Sequence, residues 1–225
     1  MKQNAVCIFA HPDDESFGPS GTIHLLTKTY NVYIICITKG DAGENHHHDK
    51  TTPLETLRKQ ELLASSKIVG VKQVFFLGYP DGELNNNSYH VVAADVQKIL
   101  DDLRPELLLT FEHRGVSGHL DHVAAAMITS YLYEKLSYVK EVMFYALRKD
   151  QVTHPPGEYF IFFPRGYDSD SLTLCNDVSS VIDVKRKAIS QHISQSHDMK
   201  HILARLRTIE CFYTFKKNLT PKASK

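Results

Sequence analysis

The feature that most constrains the fold is an alternation. Through the first two thirds of the chain, apolar runs of five to seven residues take turns with longer amphipathic stretches. Runs that short suit strands and the longer stretches suit helices, which is the pattern of βα units building a parallel sheet. The expected strands cover 5–10, 32–38, 73–77, 106–111 and 141–146. Between them Leu57, Ala64 and Ile68 share one helical face, and Val92, Val96, Ile99 and Leu103 share another. Residues 123–132 are apolar almost all round and predict a well-buried helix. Pro105 stops the helix that ends at Leu103, and the Gly-containing segments 40–43, 78–82 and 115–118 read as loops after strands. Those loops gather on one edge of the sheet, where open α/β sheets bind their ligands. Beyond about residue 150 the alternation yields to Pro, Gly, Asp and Ser punctuation. Helical patterns then return over 184–194 and 199–207, with a last strand over 210–215 and a Lys-rich end over 216–225 that is expected to fray.

A chain of 225 residues with 42% hydrophobic content can bury one sizeable core. The expectation is one domain over 1–225: an α/β, Rossmann-like three-layer αβα arrangement with a mostly parallel sheet, its site at the carboxyl ends of the strands and completed by the part from about 150. The 26 basic and 26 acidic side chains cancel, so no overall field draws the protein to nucleic acid or an anionic membrane. The first apolar run is too short for a signal peptide or a span and is followed at once by His-Pro-Asp-Asp, which makes a cytoplasmic protein the default. The four cysteines are widely spaced with no Cys-x-x-Cys, so neither a disulfide nor a cysteine metal site is expected.

The densest chemistry is Ala10-His11-Pro12-Asp13-Asp14-Glu15, one imidazole and three carboxylates directly after a strand. A bound cation would make that crowding of like charge favourable. Acidic capping of a helix N-terminus is the alternative. A second cluster, Gly115-Val116-Ser117-Gly118-His119-Leu120-Asp121-His122, follows the strand at 106–111 and opens the next helix. His119 and His122 are three apart and share a face if the helix begins there. Two His/Asp clusters on neighbouring strand ends supply a His, Asp, His set, and three protein ligands with an open position is a catalytic arrangement.

These two motifs resemble those of the LmbE-like or PIG-L-like N-deacetylases. Thr38-Lys39-Gly40-Asp41-Ala42-Gly43 is similar to that family's Thr-x-Gly-x-x-Gly loop, and Arg58 and Glu61 to its Arg-x-x-Glu helix. Leu77-Gly78-Tyr79-Pro80-Asp81-Gly82 is similar to its LG-x-x-D-G turn, and His192-Ile193-Ser194-Gln195 to its His-x-Ser-Gln element. The resemblance implies that His11, Asp14 and His122 hold one zinc ion per chain, although a two-His, one-carboxylate set suits other divalent metals as well. It implies Asp13 as general base and His119 as donor to the oxyanion, with orientation of His122 or Asp13 as the other role open to His119. Asp121 would be the acceptor that fixes a histidine tautomer, or a carboxylate at a helix start. Arg58 would contact substrate, or pair with Glu61 along the helix. The implied reaction removes an N-acetyl group from an N-acetylglucosaminyl small-molecule conjugate. The alternatives are a zinc amidase of the same fold acting on a longer acyl or non-sugar amide, and a non-catalytic module binding a sugar or nucleotide.

Other features carry less. His46-His47-His48 reads as a flexible loop or lid, Asp81 as a turn residue before Gly82, and Tyr159, Phe160, Phe162 and Phe163 as core. Leu120 stands where the family often has proline, and the stretch 112–117 is similar to variants acting on glycolipid-linked glucosamine. The acyl group, the aglycone and self-association are left open by the sequence.

Overall fold

The computed structural model describes residues 2–152 and 161–217. Its sheet is ordered β3-β2-β1-β4-β5-β7-β6. Strands β1 (Gln3–Phe9), β2 (Tyr30–Thr38), β3 (Gln73–Tyr79), β4 (Leu107–Phe111) and β5 (Glu141–Ala146) run parallel. Then β7 (Ile209–Lys216) joins β5 antiparallel, and the short β6 (Leu174–Asp177) joins β7 in the same sense. The five parallel strands fall where the apolar runs place them, within two residues at each end.

Those runs are continuous because both faces of the sheet are covered. Val6, Ile8, Tyr33, Ile35 and Leu108 pack on one side with Val92 and Val96 of α4 (Tyr89–Leu103) and Ile128 and Leu132 of α6 (Leu120–Lys135). Cys7, Phe9, Val32, Ile34 and Leu109 pack on the other. Their partners there come from α2 (Ser20–Leu26), α3 (Leu54–Val69) and α7 (Ile182–Ile189), through Ile23, Val69 and Ala188. Each fully buried Ile, Leu or Phe contributes roughly 1.5–3 kcal/mol. Helix α6 is less enclosed than its composition suggests: Met127 and Tyr131 are 55% and 52% exposed. It lies in an outer layer, so one of its faces meets solvent whatever residues it carries.

The chain moves outward from β1 to β2 and β3, then returns to place β4 on the other side of β1. The strand order therefore reverses between β1 and β4, and the loops after these two strands diverge to leave a crevice. The short helices α1 (Asp14–Phe17) and α5 (Gly115–Gly118) line it, so 115–118 is a helical turn rather than an open loop. Val116 within it has φ 61 and ψ −52, a strained conformation for a β-branched residue. Its N–H donates to the buried Glu112 carboxylate, which holds the turn against that strain.

The C-terminal part departs most from expectation. Helix α7 is shorter than the pattern over 184–194, α8 (Ser196–Ala204) begins three residues before the pattern over 199–207 and ends three before its end, and 3-10 turns at 179–181 and 193–195 precede them. Cys175 and Cys211 stand opposite each other in the β6–β7 register and form a disulfide, contrary to the expectation of none. Strand β6 has only four residues, which are half-buried or exposed, so nothing in the sequence announces that pairing. Cys7 and Cys36 remain free thiols in the core. Lys185 and Glu210 form a buried ion pair, with Lys185 also donating to the Gly18 carbonyl and Glu210 accepting the first N–H groups of α2. Phe162 is exposed instead of buried, and Phe163 is half-buried. Tyr159, Phe160 and the end of the Lys-rich tail lie outside the described residues. Among the described residues no helix is long and apolar enough to cross a membrane.

Candidate metal centre

Strand β1 delivers His11, Asp13 and Asp14 to the crevice, and the turn after β4 delivers His119, Asp121 and His122. The His122 Nδ1 atom lies 2.9 Å from the Gly115 carbonyl, which can only accept, so the proton sits on Nδ1 and Nε2 carries a lone pair. The His11 Nε2 atom lies 2.9 Å from Asp81 Oδ1 and 3.3 Å from Asp121 Oδ2, so its proton sits on Nε2 and Nδ1 carries the lone pair. These two lone pairs face each other across 2.9 Å. Asp14 adds Oδ1 at 3.1 Å from His122 Nε2 and Oδ2 at 3.7 Å from His11 Nδ1. Such a set is repulsive unless a proton or a cation lies within it.

The protonation balance points the same way. Burial disfavours a charged His11, but hydrogen bonds to Asp121, Asp14 and Asp81 outweigh it and hold its pKa well above the ordinary value. Burial would raise Asp14, yet His122 and His11 hold it well below the carboxylate range. The cluster is built to attract positive charge, and its two imidazoles and one carboxylate fit a divalent cation.

A second group, His11, Asp81, His119 and Asp121, also has its polar atoms close together, but their roles differ. His119 caps α6: its Nδ1 accepts the Asp121 N–H at 3.1 Å, which leaves its proton on Nε2. Here the His11 Nε2–H meets the Asp81 and Asp121 carboxylates, which makes a hydrogen-bonding set rather than a cation set. Burial, then the neighbouring His11 and His122, lower the His119 pKa to about 4, so this imidazole is neutral near pH 7. Asp121 is fully buried and accepts from the Gly82 and Leu84 N–H groups as well as from His11. Asp81, read as a turn residue, does stand in the turn after β3, and its carboxylate also reaches His11.

Arg58 does not pair with Glu61. Its Nη2 donates to Asp13 Oδ2 at 2.9 Å and its Nη1 to the Gly40 carbonyl at 2.9 Å, with Asp81 Oδ2 at 3.8 Å. The side chain is only 4% exposed overall. Gly40 has φ +67, which favours glycine, and a Cβ there would lie 2.6 Å from the Arg58 guanidinium and push it from its place. Glu61 instead accepts the N–H and O–H of Ser194 at 2.7 and 2.6 Å. The His46 N–H bonds the Ser194 carbonyl, and the Gln195 amide bonds the Glu44 carbonyl, so the loop carrying His46–His48 is tied down at these points.

Beneath the crevice, Glu15 accepts from Ser65 at 2.6 Å and from His192 at 3.2 Å, all three being fully buried. Sequence reading did not link Glu15 to His192, which is 177 positions away. The one available signal was that both belong to motifs expected at the same sheet edge.

Fold and site together define a Rossmann-like α/β protein with a His–Asp–His cluster able to hold a cation at its topological switch point. The family model for GlcNAc-PI de-N-acetylase (PIG-L) matches residues 6–133, more than half of the chain, and the chain belongs to that family. It is 29% identical over 207 residues to a protein of Bacillus subtilis (strain 168) named "Probable N-acetyl-alpha-D-glucosaminyl L-malate deacetylase 2", covering 88% of this chain and 86% of that one. Among solved structures it is similar to the N,N'-diacetylchitobiose deacetylase of Pyrococcus horikoshii, with a TM-score of 0.69 and 21% identity over 98% of this chain and 88% of that one. The 4-carboxy-2-hydroxymuconate hydratase of Pseudomonas putida KT2440 shares the fold too, with a TM-score of 0.67, 19% identity and full coverage of both chains. The fold alone therefore does not decide the reaction.

Proposed function

We propose that this chain is a zinc-dependent hydrolase that removes the N-acetyl group from an N-acetylglucosaminyl small-molecule conjugate. The observation that carries the reading is the convergence of the His11 Nδ1 and His122 Nε2 lone pairs on the Asp14 carboxylate. Membership of the family and the name of the Bacillus relative support the amino-sugar class. His11, Asp14 and His122 hold the ion, which supplies Lewis acidity toward water and the amide carbonyl.

The other residues divide the proton work. Arg58 holds Asp13 by Oδ2, leaving Oδ1 to take a proton from the attacking water. As the carbon–nitrogen bond breaks, Asp13 returns that proton to the amine nitrogen, and acetate and the free amine leave. His119, neutral and protonated on Nε2, donates to the oxyanion that develops on the carbonyl. Asp121 accepts from His11 Nε2 and so fixes the His11 tautomer. Arg58 serves substrate through its grip on Asp13.

The test is free-amine release from a panel of N-acetylglucosaminides, including malate and inositol conjugates. Release that stops with a chelator and returns with zinc supports the reading. Absence of release from every member by zinc-loaded protein rejects it; release only from longer acyl or non-sugar amides transfers the site to the broader amidase.

A further inference from the structure

We propose that Asp81 is a positioning residue for the cation site: it holds the His11 imidazole so that Nδ1, and not Nε2, presents its lone pair to the cluster with Asp14 and His122. This rests on the cation site of the proposed function and adds to it a residue whose place in a Pro-Asp-Gly turn explains only its backbone.

Two carboxylates face the His11 Nε2–H, and they are not equivalent. Asp121 Oδ2 is the more distant at 3.3 Å, and Asp121 is already committed to the Gly82 N–H at 2.8 Å and the Leu84 N–H at 3.1 Å. Asp81 Oδ1 is at 2.9 Å with its side chain 9% exposed, and its Oδ2 lies 3.8 Å from the Arg58 guanidinium. The stronger acceptor for the imidazole is therefore Asp81. The turn supports this in a specific way, because Asp121 grips the amide of Gly82 and the Asp81 N–H bonds Asp41 Oδ1 at 3.0 Å. The two groups that pair with the Asp81 carboxylate belong to the reaction: His11 holds the ion, and Arg58 holds Asp13. A carboxylate hydrogen-bonded to the far nitrogen of a metal-bound histidine fixes its tautomer and ring orientation and raises its basicity. With Asp81 removed, Nε2–H keeps only the longer bond to Asp121, and the ring loses the contact that aims Nδ1.

Asp81→Asn separates this role from the turn, since asparagine suits the same turn as well as aspartate does. Zinc affinity is measured by competition with a chromogenic chelator on wild type, Asp81→Asn and Asp81→Ala, with thermal unfolding of each zinc-free protein alongside. The expected result is a zinc affinity lower by on the order of 10–100-fold in Asp81→Ala, and lower also in Asp81→Asn, with the Asp81→Asn melting temperature at the wild-type value. Wild-type zinc affinity in Asp81→Asn overturns the proposal and returns Asp81 to the turn. If Asp81→Ala unfolds, Asp81→Asn still decides. If wild type itself binds no zinc, the proposed function fails first, so the two failures are told apart by the wild-type control.

Discussion

Asp14 and Glu15 are neighbours in the sequence, and each meets a histidine from a distant part of the chain, yet the two pairs are different objects. At the crevice, Asp14 Oδ1 stands 3.1 Å from His122, and a second lone pair from His11 points into the same space. Behind it, Glu15 Oε1 meets only donors, the Ser65 hydroxyl and His192 Nε2, with almost no solvent access. Acceptors that converge call for a cation, whereas a carboxylate oxygen that meets only donors, as Glu15 Oε1 does, is a strut. The direction of each hydrogen bond, more than residue type or burial, separates the chemical site from its support.

The sharpest way to break that comparison is to change one carboxylate beside the site and ask what is lost. Asp13→Asn should lower kcat by on the order of 10²–10⁴-fold, measured by amine release under zinc saturation, because the variant keeps the Arg58 contact and loses the base. An Asp13→Asn enzyme with wild-type kcat would remove Asp13 from the proton work. On the other side, His192→Ala should leave zinc content at the wild-type level while denaturant unfolding reports a loss of about 3 kcal/mol, since Glu15 is left buried with only Ser65. Loss of zinc in this variant would show that the strut and the site are one unit. The smallest effect is expected at the turn between β4 and α6. Val116→Gly relieves a positive φ and should stabilise the fold by about 1 kcal/mol in the same unfolding assay. A destabilised variant would mean that the side chain contributes more through packing than its backbone costs.

Much of this was legible in the sequence, for reasons that also mark where legibility ends. The parallel strands announced themselves because a sheet covered on both faces needs unbroken apolar runs, and the HPDDE and GHLDH motifs lie at strand ends that topology brings together. Partner choice was not readable. Arg58 and Glu61 have the spacing of a helical ion pair, yet one turns to Asp13 and the other to Ser194, since buried groups take the partners that tertiary packing supplies. Asp81 looked like turn chemistry because its turn role is genuine; only the approach of the loops after β3 and β1 brings its carboxylate to His11. Likewise β6 was invisible, and the disulfide with it, because its four residues, Leu-Cys-Asn-Asp, are too few and carry no apolar alternation to match their alternating burial. The exposed side of α6 was missed since an all-apolar helix gives no sign of which face is left to water.

The most direct test of the central claim is zinc content, by elemental analysis of wild type, His11→Ala, His122→Ala and Asp13→Asn purified in parallel. The account predicts about one zinc per chain in wild type and in Asp13→Asn, and loss of the metal in both histidine variants. Equal metal content in all four proteins would contradict it.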